Sequence, residues 1–378
     1  VEHAGDGEFN LITRSSDGQL MFLVNKLSKM KQGTTIGSRI AEVHNGSSLF
    51  TGDAGQGESN IRRWIIENDW LEAIIALPLN MFYNTNIATY IWVLTNRKPE
   101  HRKGKVQLID ATAWYQPLRK NLGKKNCELS QEDIQRISDL FLSFEETEQS
   151  KIFPNEAFGY RKVVVERPLR LKVDLGIDAV AEFRRECVKA KDEPLAQLME
   201  RLAVTIGPGS HMDFNAFMKA LETVAESASD KLTAKRQKLV MTALAERDET
   251  AAPVIRRVNK PGRVQADPLH GLFELEIGGK PYVVEYEPDS ELRDTEQVPL
   301  LEKGGVEAFF RREVLPHVPD AWVDATSERI GYEISFTRYF YRPQPLRTLQ
   351  EIRADIEALE RETDGLLAKI LVDVEGAE

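Results

Sequence analysis

Cysteine is scarce in this chain, and long apolar runs are missing. The 378 residues include only Cys127 and Cys187, too few for a disulfide framework and without the spacing of a zinc site. No apolar run reaches the roughly 20 residues of a membrane-spanning helix, and no signal peptide is recognisable. These absences favour a protein of the reducing cytoplasm. Because the chain begins at Val1 and not at Met, we expect further sequence upstream.

The sequence also lacks an excess of basic residues. Its 60 acidic and 50 basic residues give a net charge of −10, which excludes a uniformly basic nucleic-acid-binding coat but leaves room for a local basic surface. An apolar fraction of 42% and a charged fraction of 29% are those of a globular protein. The length allows two or three domains.

Three glycines stand close together in "SSLFTGDAGQGESNIRRWIIEND", at Gly52, Gly55 and Gly57. Backbone amides in such a loop can bind phosphate, but a P-loop needs Gly-Lys-Ser/Thr where this loop has Gly-Glu-Ser. The dinucleotide-binding fingerprint also fails, because Asn60 stands at its third glycine. These mismatches count against a nucleotide hydrolase and a nicotinamide dehydrogenase. We expect a turn that leads into a helix capped by Ser59.

The first third of the chain alternates helix and strand patterns. Apolar residues recur at the helical period over residues 20–30, and a short buried strand followed by a turn is expected in "SRIAEVHNGSSLF". After the glycine loop a helix ends near Asn68, and "LEAIIALP", "IATYIWVLTNR" and "GKVQLIDAT" predict three strands. This order favours the second half of an α/β sheet. The apolar run 74–77 is typical of a strand covered on both faces.

A second region starts near "CELSQEDIQRISDLFLSF", where Ser130 and Asp133 form a capping pair for a helix. Helical patterns dominate from there to about residue 247. Further on, "GLFELEIGGKPYVVEYEPD" predicts a β-hairpin with its tight turn at Gly278 and Gly279. Four hairpin carboxylates could bind a metal, but strand alternation favours a solvated face, so we expect no metal site. They are Glu274, Glu276, Glu285 and Glu287.

The C-terminal segment carries a heptad pattern. Aliphatic residues alternate spacings of three and four, interrupted only at Thr363, and such a seam needs a partner helix from this chain or from another subunit. The predicted docking residues are Leu349, Ile352, Ile356, Leu359, Leu366 and Ile370. We therefore predict four regions: an α/β part (1–126), a mainly helical part (127–265), a β-hairpin and tail (266–345), and a heptad helix for subunit docking (346–378).

The segment "LEAIIALPLNMFYNTNIATYIWVLTNRK" combines a strand, Leu-Pro, Phe-Tyr-x-Thr, x-Ile-x-Thr, a second strand and Asn-Arg-Lys. This order resembles the late motifs of the methylation subunit of type I restriction-modification systems, a family of N6-adenine DNA methyltransferases. "SSDGQLMFLVNKLSKMKQG" and "AEVHNGSSLFTGDAGQGESNIRRWI" resemble that family's preceding segments, and "IGYEISFTRYFY" resembles its tail. The resemblance implies an α/β fold: the second half of a Rossmann-like class I methyltransferase sheet, then a mainly helical region with a β-hairpin and a terminal coiled-coil-like helix.

The resemblance also implies S-adenosylmethionine as the cofactor. The family binds it through a glycine-rich turn after the first strand and catalyses methyl transfer with an Asn-Pro-Pro-Phe/Tyr motif after the fourth. No two prolines are adjacent in this sequence, so no catalytic residue is assigned within the chain, and both motifs are expected upstream. The chain alone is therefore expected to be inactive, with its glycine loop beside the methyl-transfer pocket.

By the same resemblance, the loop between the last two strands forms the pocket for the target adenine. Enzymes that modify a base flip it out of the duplex and stack it on an aromatic face, a role that the resemblance gives to Phe82, with Tyr83 beside it. Both rings could instead be core aromatics that close one end of the sheet. Three small polar residues would shape the pocket or satisfy the turn backbone. They are Thr85, Asn86 and Thr89.

Six basic residues are candidates for contacts with DNA phosphates, with a solvated surface as the alternative for each. They are Arg62, Arg63, Arg119, Lys120, Lys124 and Lys125. The family's assembly implies double-stranded DNA, a specificity subunit and a restriction subunit as partners, and no membrane. The alternative function is that of a non-catalytic DNA-binding or scaffold subunit of a restriction-modification complex.

Overall fold

The computed structural model describes residues 10–341, 348–359, 361 and 363. The contacts of the chain divide it into two compact units, Val1–Ser335 and Phe336–Glu378. Five β-sheets form among the described residues of the first unit. In this described part, no helix has both the length and the apolar character that crossing a membrane requires. The four predicted domain ranges stay predictions.

The first sheet contains the strands that the sequence predicts. In chain order, this part consists of α1 (Gln19–Leu27), β1 (Arg39–Asn45), α2 (Ser47–Phe50), α3 (Gly57–Glu67), β2 (Leu71–Ala76), β3 (Thr89–Thr95), β4 (Lys105–Asp110), β5 (Gln116–Leu122), β6 (Lys125–Glu128), α4 (Gln131–Ser143) and β7 (Ser150–Pro154). The sheet order is β1-β3-β2-β4-β7. β3 is antiparallel to β1 and β2, whereas β2 and β4 are parallel. The carboxyl ends of β1, β2 and β4 therefore meet at one edge, the carboxyl edge of the sheet.

Burial separates the centre of this sheet from its border. All six residues of β2 are buried, as the run 74–77 predicts for a strand covered on both faces. Strand β1 was expected to be buried, but its first five residues alternate between exposed and partly buried, and only His44 is buried. The reason is that β1 is an edge strand: within the described chain it pairs only with β3.

Helix boundaries follow local sequence signals in one case and not in another. Ser130 and Asp133 form the predicted capping box of α4, in which each residue satisfies a backbone donor near the other. The predicted cap at Ser59 is wrong, because α3 begins two residues earlier, at Gly57, and has no side-chain cap. Ser59 lies inside the helix and is buried.

The rest of the first unit is less helical than the sequence predicts. It consists of β8 (Gly159–Glu166), β9 (Leu171–Asp174), α5 (Ile177–Lys189), α6 (Glu193–Ile206), β10 (Ser210–His211), α7 (Phe214–Ser227), α8 (Ala234–Ala243), β11 (Ala245–Arg247), β12 (Ile255–Asn259), β13 (Phe273–Ile277), β14 (Lys280–Tyr286), β15 (Asp294–Pro299), α9 (Gly305–Phe309) and β16 (Trp322–Tyr332). The β-branched residues Val163, Val164 and Val165 favour a strand, and β8 pairs with both β15 and β16. The hairpin β13–β14 is confirmed, with its turn at Gly278 and Gly279.

Helices α5 to α7 enclose a separate apolar core. Phe183, Leu198, Met199, Phe217 and Leu221 lie at its centre and are almost completely buried. The second unit contains α10 (Phe336–Phe340) and a helix that we call α11, residues 349–359. α11 coincides with the first part of the predicted heptad helix. Leu366 and Ile370 lie outside the described residues.

Candidate nucleic-acid interface

The loop that connects β2 to β3, residues 77–88, lies at the carboxyl edge of the first sheet. We call it the target-base loop, after the role that the motif resemblance implies for it. Hydrogen bonds hold its two ends: the Leu77 amide donates to the Thr89 carbonyl at 3.0 Å, and the Gly46 amide donates to the Ala88 carbonyl at 3.2 Å. Asn80 and Asn84 have φ angles of 58° and 57°. Asparagine tolerates this left-handed conformation better than most residues, which explains how the loop turns tightly without glycine.

The structure places four of the five predicted pocket residues in this loop. Phe82 is 37% exposed and Tyr83 is 66% exposed, so both rings are accessible to a ligand and neither lies in the sheet core. The Thr85 hydroxyl accepts a hydrogen bond from the Ile87 amide at 3.2 Å, and Asn86 is exposed. Thr89 is different: it is the buried first residue of β3, opposite Asn45.

Residues 116–128 form an antiparallel hairpin, β5–β6, where the sequence predicts only a basic loop. This hairpin packs along the target-base loop. The Asn126 amide donates to the Asn80 carbonyl at 3.1 Å, and the Cys127 thiol donates to the Leu79 carbonyl at 3.1 Å. Sequence reasoning missed the hairpin because its strands are polar and lack the alternation of a half-buried strand.

The hairpin carries four of the six predicted phosphate-binding residues. Arg119, Lys120 and Lys124 are exposed, and Lys125 is partly buried. Across the described residues, none of the four has a carboxylate within ion-pair distance, in contrast to most arginines of the chain. They therefore add a positive field next to the target-base loop, where a phosphate can approach.

The prediction for Arg62 is wrong. Its side chain is completely buried, and its guanidinium donates to the carbonyls of Tyr332 at 2.6 Å and of Ser48 at 3.1 Å. Burial lowers the pKa of Arg62 to about 10, against the opposing effect of nearby acidic groups. Arg63 is mostly buried as well, with its Nε 2.8 Å from Oε1 of Glu67. Both residues thus differ from the four hairpin cations, which have no carboxylate within ion-pair distance among the described residues.

The glycine loop is filled by contacts within the chain. A Cβ atom at Gly57 would overlap the backbone of Ile12, and Asp53 forms a 2.6 Å ion pair with Lys162 of β8. The Ser59 hydroxyl accepts a hydrogen bond from the Tyr332 amide at 3.0 Å. The loop thus joins the first sheet to β8 and β16, and it leaves no space for a phosphate or cofactor against Gly57.

A polar network that the sequence did not reveal lies at the end of β1, on the same carboxyl edge. Gln19 donates to Asn45 at 2.9 Å and to Ser47 at 2.7 Å, and the Ser47 hydroxyl donates to Asp17 at 2.9 Å. Burial acts to raise the pKa of Asp17, but the hydrogen bonds from Ser47 and Gln19 outweigh it, so the pKa is lowered. Asp17 is therefore a carboxylate at neutral pH.

Strands β3 and β4 bring a phenol and a carboxyl group close to this edge. Burial, and to a smaller extent the charge of Asp110, raises the pKa of Tyr90. Tyr90 is thus a neutral phenol at neutral pH. The Asp110 carboxyl group accepts a hydrogen bond from the Thr112 hydroxyl at 2.6 Å. The edge combines neutral, anionic and aromatic groups on one side of the basic hairpin.

The carboxylates of the hairpin β13–β14 do not come together as a cluster. Among the described residues, no group of three or more His, Cys, Asp or Glu side chains is arranged to bind a metal. Glu285 instead pairs with Arg256 at 2.9 Å. One of the four predicted solvated carboxylates is thus held in an ion pair.

The predicted docking residues on α11 are all exposed. Leu349 is 85%, Ile352 40%, Ile356 55% and Leu359 61% exposed. Four aliphatic side chains at heptad spacing thus face solvent in this chain, which is unusual for a helix without a partner.

In a comparison with known protein families, residues 6–164 match the family model described as N-6 DNA Methylase. The type I restriction enzyme MjaIX methylase subunit of Methanocaldococcus jannaschii is 39% identical over 111 residues, 29% of this chain and 19% of that protein. The MjaVIII methylase subunit of the same organism is 30% identical over 173 residues, 44% of this chain and 26% of that protein. The matched segments are thus about a quarter or less of these relatives' lengths.

Among solved structures, the methyltransferase subunit of a type I restriction-modification system from Streptococcus thermophilus is similar to this chain. It is 24% identical, covers 42% of this chain and 32% of that chain, and has a TM-score of 0.35. The matches to methylase subunits confirm the resemblance that the motifs around the target-base loop indicate.

Proposed function

We propose, from the match of residues 6–164 to the N-6 DNA methylase family model, that this chain forms the C-terminal part of the methylation subunit of a type I restriction-modification system. The observation that carries the proposal is the exposed aromatic loop beside four cations without carboxylate partners. An aromatic face next to a basic ribbon suits a nucleic acid, in which bases stack and phosphates carry the charge.

The proposed reaction of the complete subunit is transfer of a methyl group to N6 of adenine. The exocyclic amine is out of reach inside a duplex, so the enzyme flips the base into a pocket and reads it there. Phe82 supplies the stacking face, and Tyr83 borders it. Thr85 and Asn86 shape the polar side of the pocket, and Thr89 lies buried at the start of β3.

S-adenosylmethionine is the proposed methyl donor, and it supplies an activated methyl group when bound. The glycine loop of this chain does not fit the cofactor, because Ile12, Glu58 and Lys162 fill the space around it. We therefore assign cofactor binding and the acceptor for the N6 protons to residues outside this chain. The residues described here receive the base and bind the DNA around it.

The proposed partners are double-stranded DNA, a specificity subunit that selects the sequence, and a restriction subunit of the same system. The cytoplasm, where the DNA lies, is the proposed location. The hairpin cations contact DNA phosphates, and the exposed seam of α11 docks on helices of the specificity subunit. Phosphate contacts position a protein on DNA without reading its sequence, which agrees with a division of labour between the subunits.

A second candidate is a non-catalytic DNA-binding or scaffold subunit. The absence of adjacent prolines in this sequence favours it, because the catalytic motif of the family requires them. Such a subunit would bind DNA with the same hairpin and dock with the same helix, yet transfer no methyl group.

The test is nucleoside analysis of DNA treated with a complete methylation subunit that contains this chain, together with its specificity subunit and S-adenosylmethionine. Mass spectrometry of the digested DNA should find N6-methyladenine. Methylcytosine would contradict the proposed base, and DNA binding without any methylated nucleoside would establish the scaffold alternative. A mixture without the specificity subunit is the control.

A further inference from the structure

The tip of the β5–β6 hairpin touches the target-base loop at Tyr83 and Asn84, next to Phe82. We infer that the hairpin positions this loop, so that a hairpin held on DNA phosphates keeps Phe82 and Tyr83 where the flipped adenine enters. The inference rests on the proposed function, since it assigns Gly123 as a positioning residue for that same site. The hairpin then has two roles: it binds DNA phosphates, and it holds the target-base loop in position.

Three contacts connect the two segments. The Cys127 thiol reaches the Leu79 carbonyl, and the Asn126 amide reaches the Asn80 carbonyl, each at 3.1 Å. The third contact is at the hairpin tip, where Gly123 lies against Tyr83 and Asn84. Strand β6 thus follows the loop from its beginning to the aromatic residues.

Gly123 is required at the tip for two separate reasons. Its φ angle is +61°, which L-residues with a Cβ atom adopt only at a cost. A Cβ atom there would also collide with Oδ1 of Asn84 and lie 3.2 Å from Cε2 of Tyr83. Substitution by alanine therefore pushes the tip away from the loop, or the loop away from the tip.

The chain contains a glycine that separates these two effects. Gly104 has a φ angle of +67°, but nothing lies within 4 Å of the position of its Cβ atom. Gly104→Ala carries the same backbone cost as Gly123→Ala without the contact. Any difference between the two variants is due to the tip contact.

The same short hairpin carries the cations that would bind DNA and the residues that contact the target-base loop. Its four cations have no carboxylate partners among the described residues and are free to bind phosphates. Cys127, by contrast, is buried against the loop. DNA held by these cations is therefore fixed relative to Phe82 and Tyr83 through β6.

The experiment uses a complete methylation subunit that contains this chain, with its specificity subunit. A duplex carries the recognition sequence, found by mapping N6-methyladenine, with 2-aminopurine in place of the target adenine. The fluorescence of 2-aminopurine rises when the base leaves the stack, and duplex affinity is measured separately by anisotropy. We expect Gly123→Ala to lower the fluorescence rise and the kcat for methylation by about tenfold, since small misplacements of a site reduce rates strongly.

Duplex affinity should stay within about twofold, because the phosphate contacts remain, and Gly104→Ala should behave as wild type in all three measurements. The double variant Gly123→Ala/Asn84→Gly removes the atom that collides with the new methyl group, and glycine accepts the φ of residue 84. It should recover most of the lost fluorescence and rate. If Gly123→Ala does not fold, the double variant should fold again, and its fluorescence rise and rate are then compared with those of wild type.

The outcomes distinguish this inference from the proposed function. Normal methylation by wild type, with equal rates and fluorescence for Gly123→Ala and Gly104→Ala, would overturn the positioning role and leave the function standing. A loss that Asn84→Gly does not relieve would also overturn it, because the tip contact would not be the cause. No N6-methyladenine from wild type would contradict the proposed function itself.

Discussion

At the scale of single residues, exposure separates the aromatics of the proposed site from those of the core. Phe82 and Tyr83 are exposed, whereas Phe158, Phe183 and Phe217 are buried. The sequence placed Phe82 and Tyr83 in the site by motif context, since residue type alone favours a core position. Their exposure excludes the alternative that both are core aromatics, and their role in base binding stays a prediction.

For Arg62 the sequence-based prediction fails: the residue was predicted to lie on the surface, but it lies in the core. Ile61, Ile65 and Ile66 form the buried face of α3, and Arg62 lies between them on a helix of 3.6 residues per turn. The helical period alone could have revealed this. Its carbonyl partner Tyr332 could not be predicted, because the two residues are 270 positions apart.

The first prediction concerns Phe82 in the complete enzyme. Phe82→Ala removes the stacking face, and base–aromatic stacking is worth about 1–3 kcal/mol, so methylation should fall about ten- to a hundredfold with little change in duplex affinity. Phe82→Tyr keeps an aromatic face and should retain activity. Phe82→Leu keeps apolar volume but not the face, so full activity of that variant would return Phe82 to a packing role.

The second prediction concerns the buried guanidinium. Arg62→Met removes the donor to the Ser48 carbonyl and leaves the Tyr332 carbonyl with only the Ser59 hydroxyl at 3.5 Å, and a buried group that loses its partner costs about 1–3 kcal/mol. The free energy of unfolding of this chain in urea should fall by at least about 2 kcal/mol. The exposed Lys103→Met is the control: it breaks an i,i+3 ion pair with Glu100 on the surface and should cost at most about 0.5 kcal/mol. Equal effects would show that the carbonyl contacts contribute little.

At the scale of elements, local signals predicted what depends on neighbours in sequence. The capping box of α4 and the hairpin β13–β14 agree with the structure because caps and tight turns are decided within a few residues. β5–β6 was missed, and strands β7 to β9 were taken as part of a helical region. β8 pairs with β15 and β16, more than 100 residues away, and no local pattern identifies such partners.

The third prediction concerns the hairpin as a phosphate-binding ribbon. Arg119→Gln with Lys124→Gln removes two cations, so the slope of log affinity against log salt should flatten by about 1.8, or about 0.9 for each phosphate contact. The measurement is duplex affinity of the complete enzyme over a range of salt concentrations.

The matched control for the hairpin variant is Arg184→Gln with Lys189→Gln. It removes the same charge from exposed positions on α5. Its salt slope should equal that of wild type. The same flattening in both variants would mean that net charge, and not contact by the hairpin, determines the affinity.

At the scale of the whole molecule, the sequence predicted the class of fold and the family but not the way distant parts join. The α/β class and the place of the target-base loop follow from strand and turn patterns. The attachment of β16 to α3, through Arg62 and Ser59, depends on residues far apart in sequence. Such contacts require the folded chain.

The fourth prediction concerns assembly through α11. Ile356→Asp with Leu359→Asp places two carboxylates in the seam, where an unpaired buried charge costs several kcal/mol. Binding to the specificity subunit should be lost, while the free chain melts normally because both side chains are exposed in it. Pull-down and thermal melting measure the two effects.

Ala354→Asp with Ala358→Asp is the control for this variant. It adds the same charge to the same helix, and at 3.6 residues per turn both positions lie opposite the seam. Binding should be retained. Unfolding of the whole chain by the seam variant would mean that the helix packs within the chain, and the partner surface would have to lie elsewhere.

The most direct test of the central claim is a photocrosslink from the target base to the protein. A duplex with the recognition sequence carries 5-iodouracil at the position of the target adenine, and the complete complex is irradiated and digested. Mass spectrometry should find the crosslink on the peptide that contains Phe82 and Tyr83, since aromatic faces hold the flipped base. A crosslink confined to residues outside 77–88 would contradict the claim that this loop receives the adenine.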